Sequence, residues 1–171
     1  MERFKTNNPH DSLVRRFLPD PELMADLLRC YPKNPDDQKK IALLDLTRLE
    51  YSDPVTVSDQ LEESRGDLQF TTTFIGSDRE ASVYLFFEHQ ATKDSNFRLR
   101  GLNSIIRKYN KFWEKTKGQE KFPYPIVTVL YHGKTPWTHV PEMDDLIEII
   151  PGMQTGLLKY TLILIDISPL L

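Results

Sequence analysis

A mixed α/β fold, one central sheet with helices packed on its faces, is what this 171-residue sequence predicts. Three patterns carry the prediction. Residues 68–74 alternate, with Leu68, Phe70, Thr72 and Phe74 on one side, and a turn cluster leads into the apolar run 81–87, the mark of a β-hairpin. Residues 96–117 set Leu102, Ile105, Ile106, Tyr109, Phe112 and Trp113 at helical spacing. The β-branched runs at 125–131 and 160–167 read as buried strands. A strand, a helix and a further strand in succession imply a parallel crossover.

In chain order, Asn8 or Asp11 is placed to cap a first helix carrying Leu13, Val14 and Phe17. Pro19 and Pro21 separate it from a second helix with Asp20 as cap and Leu23, Met24, Leu27 and Leu28 as its apolar stripe. Residues 31–37 read as loop, and the alternation of 46–51 as a strand ended by Ser52-Asp53-Pro54. Gly76-Ser77-Asp78-Arg79 is the hairpin turn. Gly118 stops the long helix, on which spacing makes Trp113 a core residue. A proline-bearing loop holding Trp137 and a short acidic helix over 143–150 come before the last strand. His132 and His139 straddle that loop and read as structural residues. No repeat or second domain is visible, so residues 1–171 are taken as one domain.

Composition narrows the function. The hydrophobic and charged fractions, 39% and 27%, are those of a globular chain. Cys30 is the single cysteine, which excludes an internal disulfide and a multi-thiolate metal site. The first residues hold no apolar stretch and the longest apolar run, 162–165, is far too short to span a bilayer, so no secretion, no membrane partner and a cytoplasmic location are expected. Net charge is −3, yet residues 93–121 carry nine basic and three acidic residues, +6 against −9 for the remainder. That asymmetry points to an anionic partner held against one part of the chain.

The hairpin is the candidate site. With the reversal centred between Ser77 and Asp78, paired numbers sum to 155, Asp67 falls opposite Glu88, and Gln90 shares their face. Two carboxylates that close are tolerated by sharing a proton or by holding a divalent cation. Oxygen donors suit Mg²⁺, Mn²⁺ or Ca²⁺ rather than zinc. His89 faces the other way. Along the long helix, Ser104, Lys108, Lys111 and Lys115 form a polar and basic stripe, expected to lie beside the carboxylates.

Four blocks, His10-Asp11-x-Leu13, Glu63-Ser64-Arg65-Gly66-Asp67-Leu68, Leu85-Phe86-Phe87-Glu88-His89-Gln90-x-Thr92 and 125–137 with its Leu-Tyr-His-Gly and Pro-Trp, resemble the bacterial recombination-promoting nuclease and transposase family. That family is similar to the PD-(D/E)XK nucleases. The resemblance implies a restriction-endonuclease-like core of order αβββαβ and a Mg²⁺-dependent DNA endonuclease linked to recombination. It makes Asp67 and Glu88 the metal carboxylates, with Gln90 where the superfamily usually has lysine. It makes Asp11 (Glu22 less so) and Glu63 secondary acids. The basic charge of the long helix makes Arg107, Lys108, Lys111 and Lys115 the expected phosphate contacts. DNA is the implied partner, with room for a homodimer. The rival function is a catalytically idle DNA-binding or assembly module on the same fold. Family members usually continue into a variable C-terminal region, which is expected to be absent here, where the sequence runs to Leu171.

Overall fold

The computed structural model describes residues 19–52, 68–88, 96–131, 133, 135–137, 140–148 and 159–168, with residues 84–88 described by their backbone. Helices α1 (Pro21–Cys30) and α2 (Pro35–Ile41) are followed by a 3₁₀ turn (Leu46–Arg48). Strands β1 (Glu50–Ser52), β2 (Leu68–Thr73) and β3 (Glu80–Glu88) lead into the long helix α3 (Phe97–Thr116). Strand β4 (Tyr124–Tyr131), helix α4 (Met143–Leu146) and strand β5 (Thr161–Asp166) complete the order. The five strands form one mixed sheet in the order β1-β2-β3-β4-β5. β2 runs antiparallel to both neighbours, while β3, β4 and β5 are mutually parallel, as the expected crossover requires.

Side chains alternate across β4 and so define two cores. Ile126 and Leu130 join Phe70, Val83, Ile163 and Ile165 beneath Met24, Leu27 and Leu28 of α1 and Ile41 of α2. Val127, Val129 and Tyr131 face the other way, with Leu162, against Phe97 and Ile105 of α3 and against Trp137. The sheet is thus the middle layer of three. At Gly101 a Cβ would stand 2.7 Å from the Tyr160 hydroxyl and 3.0 Å from a Val127 methyl. The absence of a side chain is what lets α3 lie this low over β4.

Four local readings change. Residues 35–37, expected as loop, open α2: the Asn34 side chain accepts from the Asp36 N–H and Pro35 occupies the first turn. Residues 46–48, expected as strand, wind into the 3₁₀ turn because the Asp45 carboxylate accepts from the Thr47 N–H and hydroxyl. The acidic helix stops at Leu146, with Ile147 extended. Trp113, expected in the core, is 56% exposed.

The hairpin register also differs. Leu68 pairs with Leu85 and Thr73 with Glu80, so paired numbers sum to 153, not 155. Gly76, at φ 71°, occupies the third position of a turn closed by the Ser77 N–H donating to the Phe74 carbonyl. That conformation favours glycine, and it centres the reversal between Gly76 and Ser77. A shift of two preserves which residues share a face. Position 67, expected opposite Glu88, lies outside the described residues.

Candidate active site

The carboxyl ends of three parallel strands meet at one edge of the sheet. Glu88, last residue of β3, is in register with Tyr131 of β4, which is in register with Asp166 of β5. Open α/β sheets bind ligands at such an edge. β2 begins at the same end, since Leu68 pairs with Leu85 three residues before Glu88. Asp67, Gln90, Asp11 and Glu63 lie outside the described residues; of the predicted carboxylates the structure places Glu88, by its backbone, and Glu22, exposed in the first turn of α1. Among the described residues no group of three metal-ligating side chains converges.

Aromatic packing holds this edge rigid. Trp137, 4% exposed, packs against Tyr131 and Phe97 with ring centroids 5.1 and 5.5 Å away. Trp137 is thus a core residue of the loop that carries it. The Tyr131 hydroxyl donates to the Thr135 carbonyl at 2.9 Å.

Asp166 is the charged residue that sequence reasoning passed over. Its carboxylate is buried and accepts from the N–H groups of Trp137 and Ser168, both at 2.9 Å. Burial pushes the carboxyl up, but the hydrogen bonds from Ser168 and Trp137, with the charge of Lys33, outweigh it and hold Asp166 below the ordinary 3.8. An aspartate closing an apolar strand was the available signal. Its work is to clamp the 137 loop to β5. A folded value below the unfolded one means that its stabilising contribution is complete above about pH 4 and is lost as pH falls through the lowered value. Asp166→Asn, which can no longer accept at both oxygens, is expected to cost about 2 kcal/mol at pH 7, read as a lower urea midpoint. The difference from wild type should close in acid.

The basic stripe is not where it was expected. Gly101 lies over Val127, and the Tyr109 hydroxyl donates to the Pro123 carbonyl at 2.9 Å, so α3 runs antiparallel to β4. Burial lowers the ammonium of half-buried Lys108, opposed by the nearby carboxylate of Glu80 at the start of β3. Arg107, Lys111 and Lys115 are exposed around and beyond it. Glu88 is level with Tyr131, and this end of α3 with Tyr124, seven strand residues or about 23 Å away. Lying beside Glu88 is therefore excluded by the crossover. Of the two arginines that α3 places near its start, Arg98 is buried and engaged with Pro141, Tyr160 and Glu142, and Arg100 packs over the Phe97 ring, 4.8 Å from its centroid.

The profile of the family described as "Putative transposase, YhgA-like" matches residues 8–170. The chain belongs to this family. Among curated relatives it is 25% identical, over 98% of its length, to the inactive recombination-promoting nuclease-like protein RpnE of Escherichia coli K12, covering 54% of that protein. It is 26% identical over 81% of its length to the recombination-promoting nuclease RpnD of Escherichia coli O157:H7, covering 52% of it. For the recombination-promoting nuclease RpnA of strain K12 the figures are 24%, 78% and 43%. The chain thus spans about half the length of these relatives. No solved structure matches it. The family expected from the four sequence blocks is the family found, and the α/β class is the class observed. No described helix is long and apolar enough to cross a membrane.

Proposed function

We propose that this YhgA-like chain is a divalent-metal-dependent DNA nuclease whose centre lies at the Glu88 end of the β2–β3 hairpin. The observation that carries the proposal is the register. Continued one residue past Leu68, it would set position 67 opposite position 86, one diagonal step from Glu88. Two carboxylates at that spacing would make an all-oxygen donor set suited to Mg²⁺, with Mn²⁺ or Ca²⁺ as substitutes. Bound there, the ion would supply Lewis-acid polarisation of a phosphoryl oxygen and a more acidic water. Asp67 and Glu88 would hold it. Gln90 would orient water or phosphate through neutral hydrogen bonds, and Asp11 and Glu63 would be supporting acids. RpnD and RpnA, named as nucleases, support the activity.

DNA fits the layout despite the distance of the lysines. At 3.4 Å per base pair, about seven base pairs separate the Glu88 edge from the basic end of α3, so one duplex held by Arg107, Lys108, Lys111 and Lys115 reaches the carboxylates. These contacts would be salt-dependent and indifferent to sequence. A second reading, a DNA-binding module that does not cut, is favoured by RpnE, whose name calls it inactive, and by the neutral Gln90 where lysine is usual. Supercoiled plasmid incubated with Mg²⁺ separates them. The proposal expects nicking or linearisation that chelator stops and that Asp67→Ala abolishes. Equal activity of wild type and Asp67→Ala, or binding without cleavage under Mg²⁺ and Mn²⁺ alike, would sink it.

A further inference from the structure

The end of α3 that lies level with Tyr124, away from the Glu88 edge, carries aromatic rings that the proposed centre does not use. Phe122 stands between Tyr109, its ring centroid 4.3 Å away and nearly parallel at 19°, and Trp113, 6.2 Å away at 28°. Lys117, left-handed at φ 52°, ends the helix, and a Cβ on the next residue, Gly118, would stand 2.5 Å from the Trp113 ring. Such a stop takes one apolar contact to complete. The Tyr109–Phe122 stack supplies it, fixed by the Tyr109 hydroxyl donating to the Pro123 carbonyl. Yet Trp113 is 56% and Phe122 42% exposed. Both rings are held in place and left open to water, which closing the helix does not require.

We infer that these rings are a stacking platform for unpaired bases of the DNA held by this end of α3. This rests on the reading of DNA as the partner and not on cleavage. Charge says what the rings face. Residues 107–121 hold six basic residues and two acids. Lys115, Lys117 and Lys121, which border the rings along the chain, are exposed, and among the described residues neither Glu114 nor Glu120 forms an ion pair with them. Phosphates on the lysines and bases on ring faces make the combination by which single strands are held without regard to sequence. Rings fixed before binding lose little freedom when a base arrives. A second copy of the chain is the poorer occupant, since a two-fold axis here would set the excess positive charge against itself. A closed duplex is poorer too, because its bases stack on one another and offer no face along its length. The substrate class that follows is DNA whose duplex gives way to an unpaired strand at the end of the sheet opposite Glu88.

Binding of end-labelled oligomers to the chain in chelator, at about 0.05 M salt, tests the inference. Oligo-dT of about 16 nucleotides should bind and quench tryptophan emission, Trp113 being the exposed tryptophan and Trp137 the buried one. An abasic oligomer of equal length has the same phosphates and no rings, and should bind the unaltered chain about tenfold more weakly or worse. Trp113→Leu, which keeps an apolar contact on Gly118, should weaken oligo-dT about as much and change the binding of a blunt duplex less than about twofold. Lys115→Gln with Lys121→Gln should weaken both and flatten the salt dependence. Equal binding of oligo-dT and the abasic oligomer, unchanged emission, or an equal loss of strand and duplex binding in Trp113→Leu would overturn the inference. No metal is present in these measurements, so a chain that binds oligo-dT in this way and cuts nothing with Mg²⁺ sinks the nuclease reading and upholds the platform.

Discussion

Glu88→Gln is expected to lower Mg²⁺-dependent cleavage at least about a hundredfold while leaving the fold intact. The substitution keeps the shape of the side chain and removes one of the two charges on which the proposed cation binding rests. The backbone at this position is fixed by the register with Tyr131 and behind it by the packed Tyr131–Trp137–Phe97 rings, so nothing need rearrange. Without metal the variant should be as stable as wild type or slightly more so, because a neutral amide would end the like-charge repulsion that the proposed pairing with Asp67 entails. The second readout is linkage. A native state that binds Mg²⁺ gains about 2.7 kcal/mol at a hundredfold excess over the dissociation constant, and the variant should lose most of that gain. Full cleavage by Glu88→Gln would move the metal centre away from β3.

How much of this was legible in the sequence depended on how far each signal reached along the chain. Strands 125–131 and 160–167 and the helix at 96–117 were readable because each carries its own periodicity or β-branched run, and the parallel crossover follows from their order. Asn34-Pro35 was a start signal for α2 that the surrounding prolines and aspartates disguised as loop chemistry. The hairpin register failed by two residues because it hangs on which turn residue takes a left-handed conformation, and Gly76 rather than the Ser77-Asp78 step does so. A shift of two keeps the parity of the described pairs, while Asp67 lies outside the described residues. Trp113 fits the core periodicity of α3 as well as Ile105 does. Only the direction in which the helix meets the sheet separates the two, and Gly101, by letting the backbone sink onto Val127, sets that direction. The distance between lysines and carboxylates was hidden for the same reason: residues close along the sequence lie at opposite ends of a 20-residue helix that crosses back over the sheet.

Arg98 carries the largest stability effect expected on the α3 side of the sheet. Its guanidinium is 5% exposed and donates to the carbonyls of Pro141 at 2.9 Å and Tyr160 at 3.3 Å, with Glu142 as its ion-pair partner and the Tyr160 ring 5.4 Å away. The Tyr160 hydroxyl donates in return to the Arg98 carbonyl. One side chain thus ties the first turn of α3 to the segments entering α4 and β5, which adjoin each other nowhere in the sequence. Arg98→Ala should cost about 3 kcal/mol, since two backbone carbonyls lose a charged donor at once. Glu142→Ala should cost below about 1 kcal/mol, because that carboxylate is largely in water and its share of the pair is screened. Equal losses for the two variants would mean that the ion pair, not the carbonyl bonds, is what counts. Alkali gives an independent check. Burial pushes the Tyr160 phenol up to about 12 against the opposing pull of Arg98, so its contribution is complete below about pH 10 and is lost as pH rises towards 12. Tyr160→Phe should flatten that alkaline limb, and in Arg98→Ala the phenol, freed of the neighbouring positive charge, should titrate later still unless water enters the site.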